Sequence, residues 1–154
     1  MRNFKKGFTL IELLVVIAVV GVLAAGSVIL LNPKTQFDKA HDAQRRSDLK
    51  QIQNVLEVYY NDRKSYPTTL PTWGTQWAEG GATYMGTLPS DPSSPSRNYF
   101  YCSDGKYYSI YASLQVGAGS IANFSTNCPS GNSATSCGTG GACNYGVTSS
   151  DRDP

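Results

Sequence analysis

One apolar run governs what this chain can become. Residues 13–31 are nineteen positions without a charge. As a helix rising about 1.5 Å per residue, the run is roughly 28 Å long, close to the thickness of a bilayer core. The apolar segment opens at Phe8, after a leader that carries Arg2, Lys5 and Lys6 and ends in Gly7. Basic residues before an apolar helix hold that end on the cytoplasmic side. One carboxylate, Glu12, interrupts the start of the run. An acid inside a membrane helix costs about 2.5–3.5 kcal/mol at the centre and less near an end, so it points to a function. An ordinary signal anchor gives Glu12 no reason to be there. Nor does a secretory signal peptide cut near Ala24-Ala25.

The string Lys6-Gly7-Phe8-Thr9-Leu10-Ile11-Glu12-Leu13-Leu14-Val15-Val16-Ile17 resembles the N-terminus of type IV pilins and type II secretion pseudopilins. The resemblance implies a filament subunit. A prepilin peptidase would cut between Gly7 and Phe8, and the new amine of Phe8 would be methylated. A small residue such as Gly7 suits a scissile bond beside a membrane. In the family, the residue matching Glu12 meets the new amine on a neighbouring subunit. Two buried charges then offset each other where either alone would be penalised. The resemblance is specific to about residue 32, moderate to about Tyr66 and loose beyond.

The implied fold class is α+β. It is a pilin fold in which a long N-terminal helix, its first half membrane-embedded, packs on a small antiparallel β-sheet. The chain then divides into a prepilin leader (1–7), a transmembrane and filament-core helix (8–32), an amphipathic second half of the helix (33–64) and a globular head (65–154). Within the head lie a connecting loop (65–98), a β-hairpin (99–114) and a cysteine-containing Gly/Ser-rich tail (115–154).

The residues along the chain support this division. Gly21, Gly26 and Ser27 are small positions suited to close helix packing. Asn32-Pro33 predicts a kink or break, because proline lacks a backbone donor and restrains the residue before it. Over residues 35–61 the pattern turns amphipathic: Leu49, Ile52, Leu56 and Tyr59 keep helical spacing, with Phe37 and Ala40 extending the stripe backwards. The other face carries Asp38, Asp42, Arg45, Arg46, Lys50, Glu57 and Asp62, read as a solvated face or as one that meets neighbouring subunits. Five prolines and four glycines over 65–98 predict a loop, pinned to the head by Trp73, Trp77, Tyr84 and Met85. Asp104-Gly105 between two tyrosine-rich runs predicts a hairpin with strands near 98–102 and 107–114. Ile121, Ala122 and Phe124 could add one more short strand.

Formal net charge is +2; removing Arg2, Lys5 and Lys6 with the leader takes it to −1. That balance gives no electrostatic case for nucleic acid. Only Arg97 and Lys106 lie near the tyrosine-rich strands, too few to make them a base-stacking platform. Cys102, Cys128, Cys137 and Cys143 read as disulfides of an exported domain. Three pairings are open, and Cys102–Cys128 with Cys137–Cys143 is the favoured one. His41 is a lone histidine assigned to the solvated helix face. No nucleophile–base pair, phosphate loop or zinc-type spacing is present, so no catalysis is expected. Asp91, Asp104, Asp151 and Asp153 are loop acids. Major pseudopilins bind calcium through such acids near the C-terminus, and residues 88–92 are similar to the segment before that site. The usual sequence around the site is missing here, so the expectation is no cofactor, with calcium as the one ion the resemblance brings in.

The expected function is that of a structural subunit of a type IV pilus or related filament, with a type II secretion pseudopilin as the alternative. A reading from another class is a membrane-anchored binding module that never polymerises. The resemblance names as partners other pilin-like subunits, the prepilin peptidase, an assembly ATPase, a platform protein and membrane lipid. It places the chain in the inner membrane, with a cytoplasmic leader and an exported head, and then in a surface or periplasmic filament.

Overall fold

Helix α1 (Leu10–Leu30) begins directly after Thr9, and helix α2 (Pro33–Arg63) begins at the proline. These are elements of a computed structural model that describes residues 7–30, 32–116 and 136–149. Proline suits a first helical position, where its missing N–H would have no partner anyway. Asn32 has φ 41°, a left-handed conformation that asparagine tolerates better than most residues. The helical ladder is therefore broken at Asn32-Pro33. The chain forms two compact units, residues 1–37 and 38–154.

In the second unit, Leu49, Ile52 and Leu56 are fully buried and Tyr59 nearly so. The helix stops where Lys64 turns to φ 57° and its N–H reaches the Tyr60 carbonyl at 2.8 Å. Two short strands follow, β1 (Trp77–Glu79) and β2 (Ala82–Met85), paired antiparallel. Gly80 and Gly81, at φ 60° and 84°, turn the chain between them. Positive φ at both central residues gives the twist a two-residue hairpin needs. The segment expected to be only a loop therefore contains a hairpin. Its glycine pair was the signal, masked by the surrounding prolines. The expected pins do face inward. Trp77 is buried and stacks on Tyr59 at 5.4 Å, while Trp73, Tyr84 and Met85 pack partly buried against the core.

The main sheet has strands β3 (Phe100–Ser103), β4 (Tyr108–Ala112) and β5 (Tyr145–Thr148), in that order and all antiparallel. At the turn, Asp104 Oδ1 accepts the N–H groups of Lys106 and Tyr107, and Gly105 sits at φ 89°. The first strand starts two residues later than the sequence suggests. Ile121, Ala122 and Phe124 lie outside the described residues, and β5 comes from the glycine-rich tail. Gly146 allows β5 to approach, because a Cβ there would fall 2.5 Å from the Tyr111 ring. Asn144 fixes the entry to β5 by bonding both the N–H and the carbonyl of Leu114. Gln53 of α2 donates to the Thr148 carbonyl at 3.0 Å. The core of this unit joins Leu49, Ile52 and Leu56 of α2 to Tyr108, Ile110 and Ala112 of β4.

Two further expectations fail. Phe37 is 67% exposed and Ala40 is exposed as well, so the apolar stripe does not extend back to them. The charged face is not uniformly solvated: Asp42, Arg45 and Asp48 are buried, and His41 is half-buried.

Candidate functional site

The N-terminal site is built by one reciprocal hydrogen-bond set. Glu12 accepts from the Thr9 N–H at 3.0 Å and from the Thr9 hydroxyl at 2.8 Å. The Glu12 N–H in turn donates to Thr9 Oγ1 at 3.3 Å. This is a capping box, Thr-x-x-Glu, which satisfies donors that a helix start leaves without partners. The cap sets the start of α1 at Leu10 and leaves Gly7 and Phe8 in non-helical backbone. The bond expected to be cut therefore lies outside the helix, before its first turn. Phe8 is 86% exposed. A Cβ at Gly7 would meet nothing within 4 Å, so folding does not require glycine there. The sequence drew attention to Glu12 and passed over Thr9. The spacing of three between a hydroxyl residue and Glu was the available signal.

Along residues 10–26 of α1 the described apolar side chains are exposed. Leu10, Ile11, Leu13, Ile17, Val22 and Leu23 are each more than 60% exposed. A helix apolar on all sides is stable in water only when lipid or other helices bury it. A shallow hollow of about 350 Å³ runs beside Glu12, lined by Phe8, Ile11, Val15 and Val16. Gly21 and Gly26 have open space where a Cβ would stand, as close helix packing needs. Among the described residues no helix is long and apolar enough to cross a membrane. The side chains described in α1 run only from residue 10 to 26, short of the about 20 residues that a span requires.

In the head, Cys137 and Cys143 form a disulfide with Cα atoms 5.0 Å apart. Both are buried, in a small cluster with Cys102 and Tyr111. Cys102 is itself disulfide-bonded; Cys128, the partner favoured for it, lies outside the described residues. The Cys137–Cys143 loop is held down by its glycines. A Cβ at Gly138 would come 2.5 Å from the Ser96 carbonyl, and the Gly140 N–H donates to that carbonyl at 2.6 Å. Arg97 braces the same region by donating to the Ser113 carbonyl and hydroxyl.

Sequence reasoning missed a buried polar centre. Arg45 is fully buried and all five of its N–H donors reach oxygen. Nε and Nη2 grip Asp91 at 2.8 and 2.9 Å. Nη1 bonds Asp42 at 2.8 Å and Gln115 at 3.1 Å, and Nη2 also reaches Ser93 at 2.9 Å. Burial opposes the charge, but the bonds and fields of Asp91 and Asp42 outweigh it and raise the guanidinium pKa above its ordinary value. Beside this centre, Asp48 accepts the Tyr99 hydroxyl at 2.6 Å. Burial raises the Asp48 carboxyl; the Tyr99 bond opposes this and the nearby Asp91 charge adds to it.

Comparisons with known proteins bear on the N-terminal site and on the family of the chain. Residues 2–28 match the family model described as a prokaryotic N-terminal methylation motif. Type II secretion system core protein G of Vibrio cholerae serotype O1 is 34% identical over 118 residues, which cover 68% of this chain and 77% of that protein. The protein of the same name from Pseudomonas aeruginosa is 33% identical over 103 residues, covering 59% and 70%. That from Escherichia coli (strain K12) is 34% identical over 100 residues, covering 57% and 66%. The chain thus spans about two thirds of the length of several such relatives. No solved structure matches it. The capped carboxylate at the start of an uncovered apolar helix, the α+β head and the extent of these matches place the chain in the pilin-like family that contains type II secretion system core protein G.

Proposed function

We propose that this pilin-like subunit works as a pseudopilin of a type II protein secretion machine. The single observation that carries the reading is Glu12, capped by Thr9 at the start of an otherwise apolar helix, with Gly7-Phe8 in non-helical chain before it. In this reading a prepilin peptidase removes residues 1–7 and the amine of Phe8 is methylated. The subunit waits in the inner membrane, anchored through α1, with its head exported. An assembly ATPase and a platform protein then move it into a helical filament, where α1 exchanges lipid contacts for contacts with neighbouring subunits. Glu12 leaves its own cap to face the Phe8 amine of the next subunit, so a buried charge moves from one set of partners to another. The protein does no chemistry and holds no cofactor. The names of its relatives support secretion over adhesion or motility.

The test is intact-mass spectrometry and N-terminal sequencing of the protein from its native host. A chain that starts at Phe8 and is heavier by one methyl group supports the reading. A chain that starts at Met1, or one cut near Ala25, overturns it. A second reading, a type IV pilus subunit, draws support from the disulfide-bonded tail, a feature suited to an exposed filament surface. Surface filaments carrying the protein would decide for it, and short periplasmic ones for the pseudopilus.

A further inference from the structure

Resemblance to the major pseudopilins brings with it calcium held by loop acids of the head, and the acids described here do not fit that ion. Both oxygens of Asp91 are taken by Arg45, and Oδ1 also accepts the Ser93 N–H at 2.8 Å. Asp42 Oδ1 accepts Arg45 and the Gln115 N–H, while Oδ2 accepts the N–H groups of Gln115 at 3.0 Å and Val116 at 2.7 Å. Asp104 Oδ1 is turned onto two N–H groups of its own hairpin. A divalent cation needs oxygen lone pairs that face open space, and these face hydrogen-bond donors. Among the described residues no group of three or more His, Cys, Asp or Glu could hold a metal ion. Asp151 and Asp153 lie outside the described residues.

We propose that the Arg45 guanidinium is the structural cation of the head, joining α2, the turn at residues 91–93 and the exit from β4, so that this region holds its fold without a divalent ion. The oxygens that surround it come from carboxylates, a side-chain carbonyl and a hydroxyl, the same chemical types that surround a hard cation. Here they surround a planar, permanently charged fork whose five donors are all used. Asp42 and Asp91 both pair with its charge, and Asp42 carries the clamp onward to the backbone of Gln115 and Val116. The ties are long in sequence: Arg45 reaches Asp91 across 46 positions and Gln115 across 70. Lysine could not replace it, since one ammonium offers three donors from a point and cannot grip Asp91 with two parallel bonds while reaching Asp42.

The full-length chain in detergent micelles provides the test, by thermal unfolding followed by circular dichroism in excess EDTA and in millimolar calcium. The native Tm is expected to agree within about 1 °C in the two conditions. Arg45→Ala leaves two buried carboxylates without their counter-ion and should lower Tm by about 10 °C or more. Arg45→Lys should recover less than half of that loss. Arg46→Ala, one position along on the exposed side, should stay within about 3 °C of native. A native Tm that falls in EDTA and returns with calcium would overturn the proposal, and that measurement needs no variant. An Arg45→Ala chain as stable as Arg46→Ala would overturn it too.

Discussion

Arg45 and Asp42 sit in phase with the apolar residues of α2. Positions 42, 45, 49, 52, 56 and 59 recur at steps of three and four, and every one is buried. The inward stripe therefore continues toward the N-terminus in charged residues, while Phe37, the apolar residue that seemed to extend it, is out of phase and exposed. Hydrophobicity and helical phase point the same way along most amphipathic helices. Here they part, and phase decides. Asp48 lies in the same buried region with one strong partner, the Tyr99 hydroxyl, which burial and Asp48 itself keep protonated as a donor. Because the folded-state pKa of Asp48 is raised, the folded chain binds this proton more readily than the unfolded chain does. Its cost is fully present at neutral pH and is relieved as pH falls through the raised value toward the usual carboxylate range near about 4. Asp48→Asn should thus be at least as stable as native at pH 7.5, and the gap should be narrower at pH 4. Urea midpoints at the two pH values would check this; a gap that widens on acidification would contradict it.

The elements differ in what holds them. α1 has little but its cap and its surroundings. Thr9→Ala removes the hydroxyl partner of Glu12 and should cost the first turn about 1 kcal/mol, seen as faster amide exchange at residues 10–13 in micelles. β5 depends on one strand partner, on Asn144 and on the disulfide beside it. The Cys137–Cys143 link closes a short loop, with a sequence separation of 6, for which chain entropy gives about 2 kcal/mol. Cys137→Ser with Cys143→Ser should loosen Tyr145–Thr148 and leave the β3–β4 pair protected, readable by hydrogen exchange strand by strand. Ile52, by contrast, is a core residue with no exposure, and Ile52→Ala should cost about 2–5 kcal/mol across the whole head.

At the scale of the whole molecule, the two compact units answer to different environments. The described residues of the head bury a core of their own; the described apolar surface of α1 is complete only with lipid or other helices against it. Glu12→Leu should therefore leave head stability and leader cleavage intact while blocking entry into filaments. Sheared filament fractions probed for the variant beside the native chain would show it, and normal incorporation would argue for an anchor that does not polymerise.

Much of this was legible without coordinates, because it rests on local rules. The apolar run, Glu12, the break at Asn32-Pro33, the turn at Asp104-Gly105 and the stripe from Leu49 to Tyr59 each follow from residues within a few positions of one another. Propensity, periodicity and turn chemistry act at that range, and the N-terminal string carries the family because its chemistry lies in consecutive residues. The Gly80-Gly81 turn rests on the same local chemistry, but tertiary structure alone decided which tail segment became β5 and that Asp91, an ordinary turn acid by its neighbours, would meet Arg45. Each of those depends on groups far apart in the chain that burial brings together, where an unpaired charge or an unbonded strand is too costly to persist. The sequence holds both partners of such a contact, and only the packed fold brings them within bonding distance.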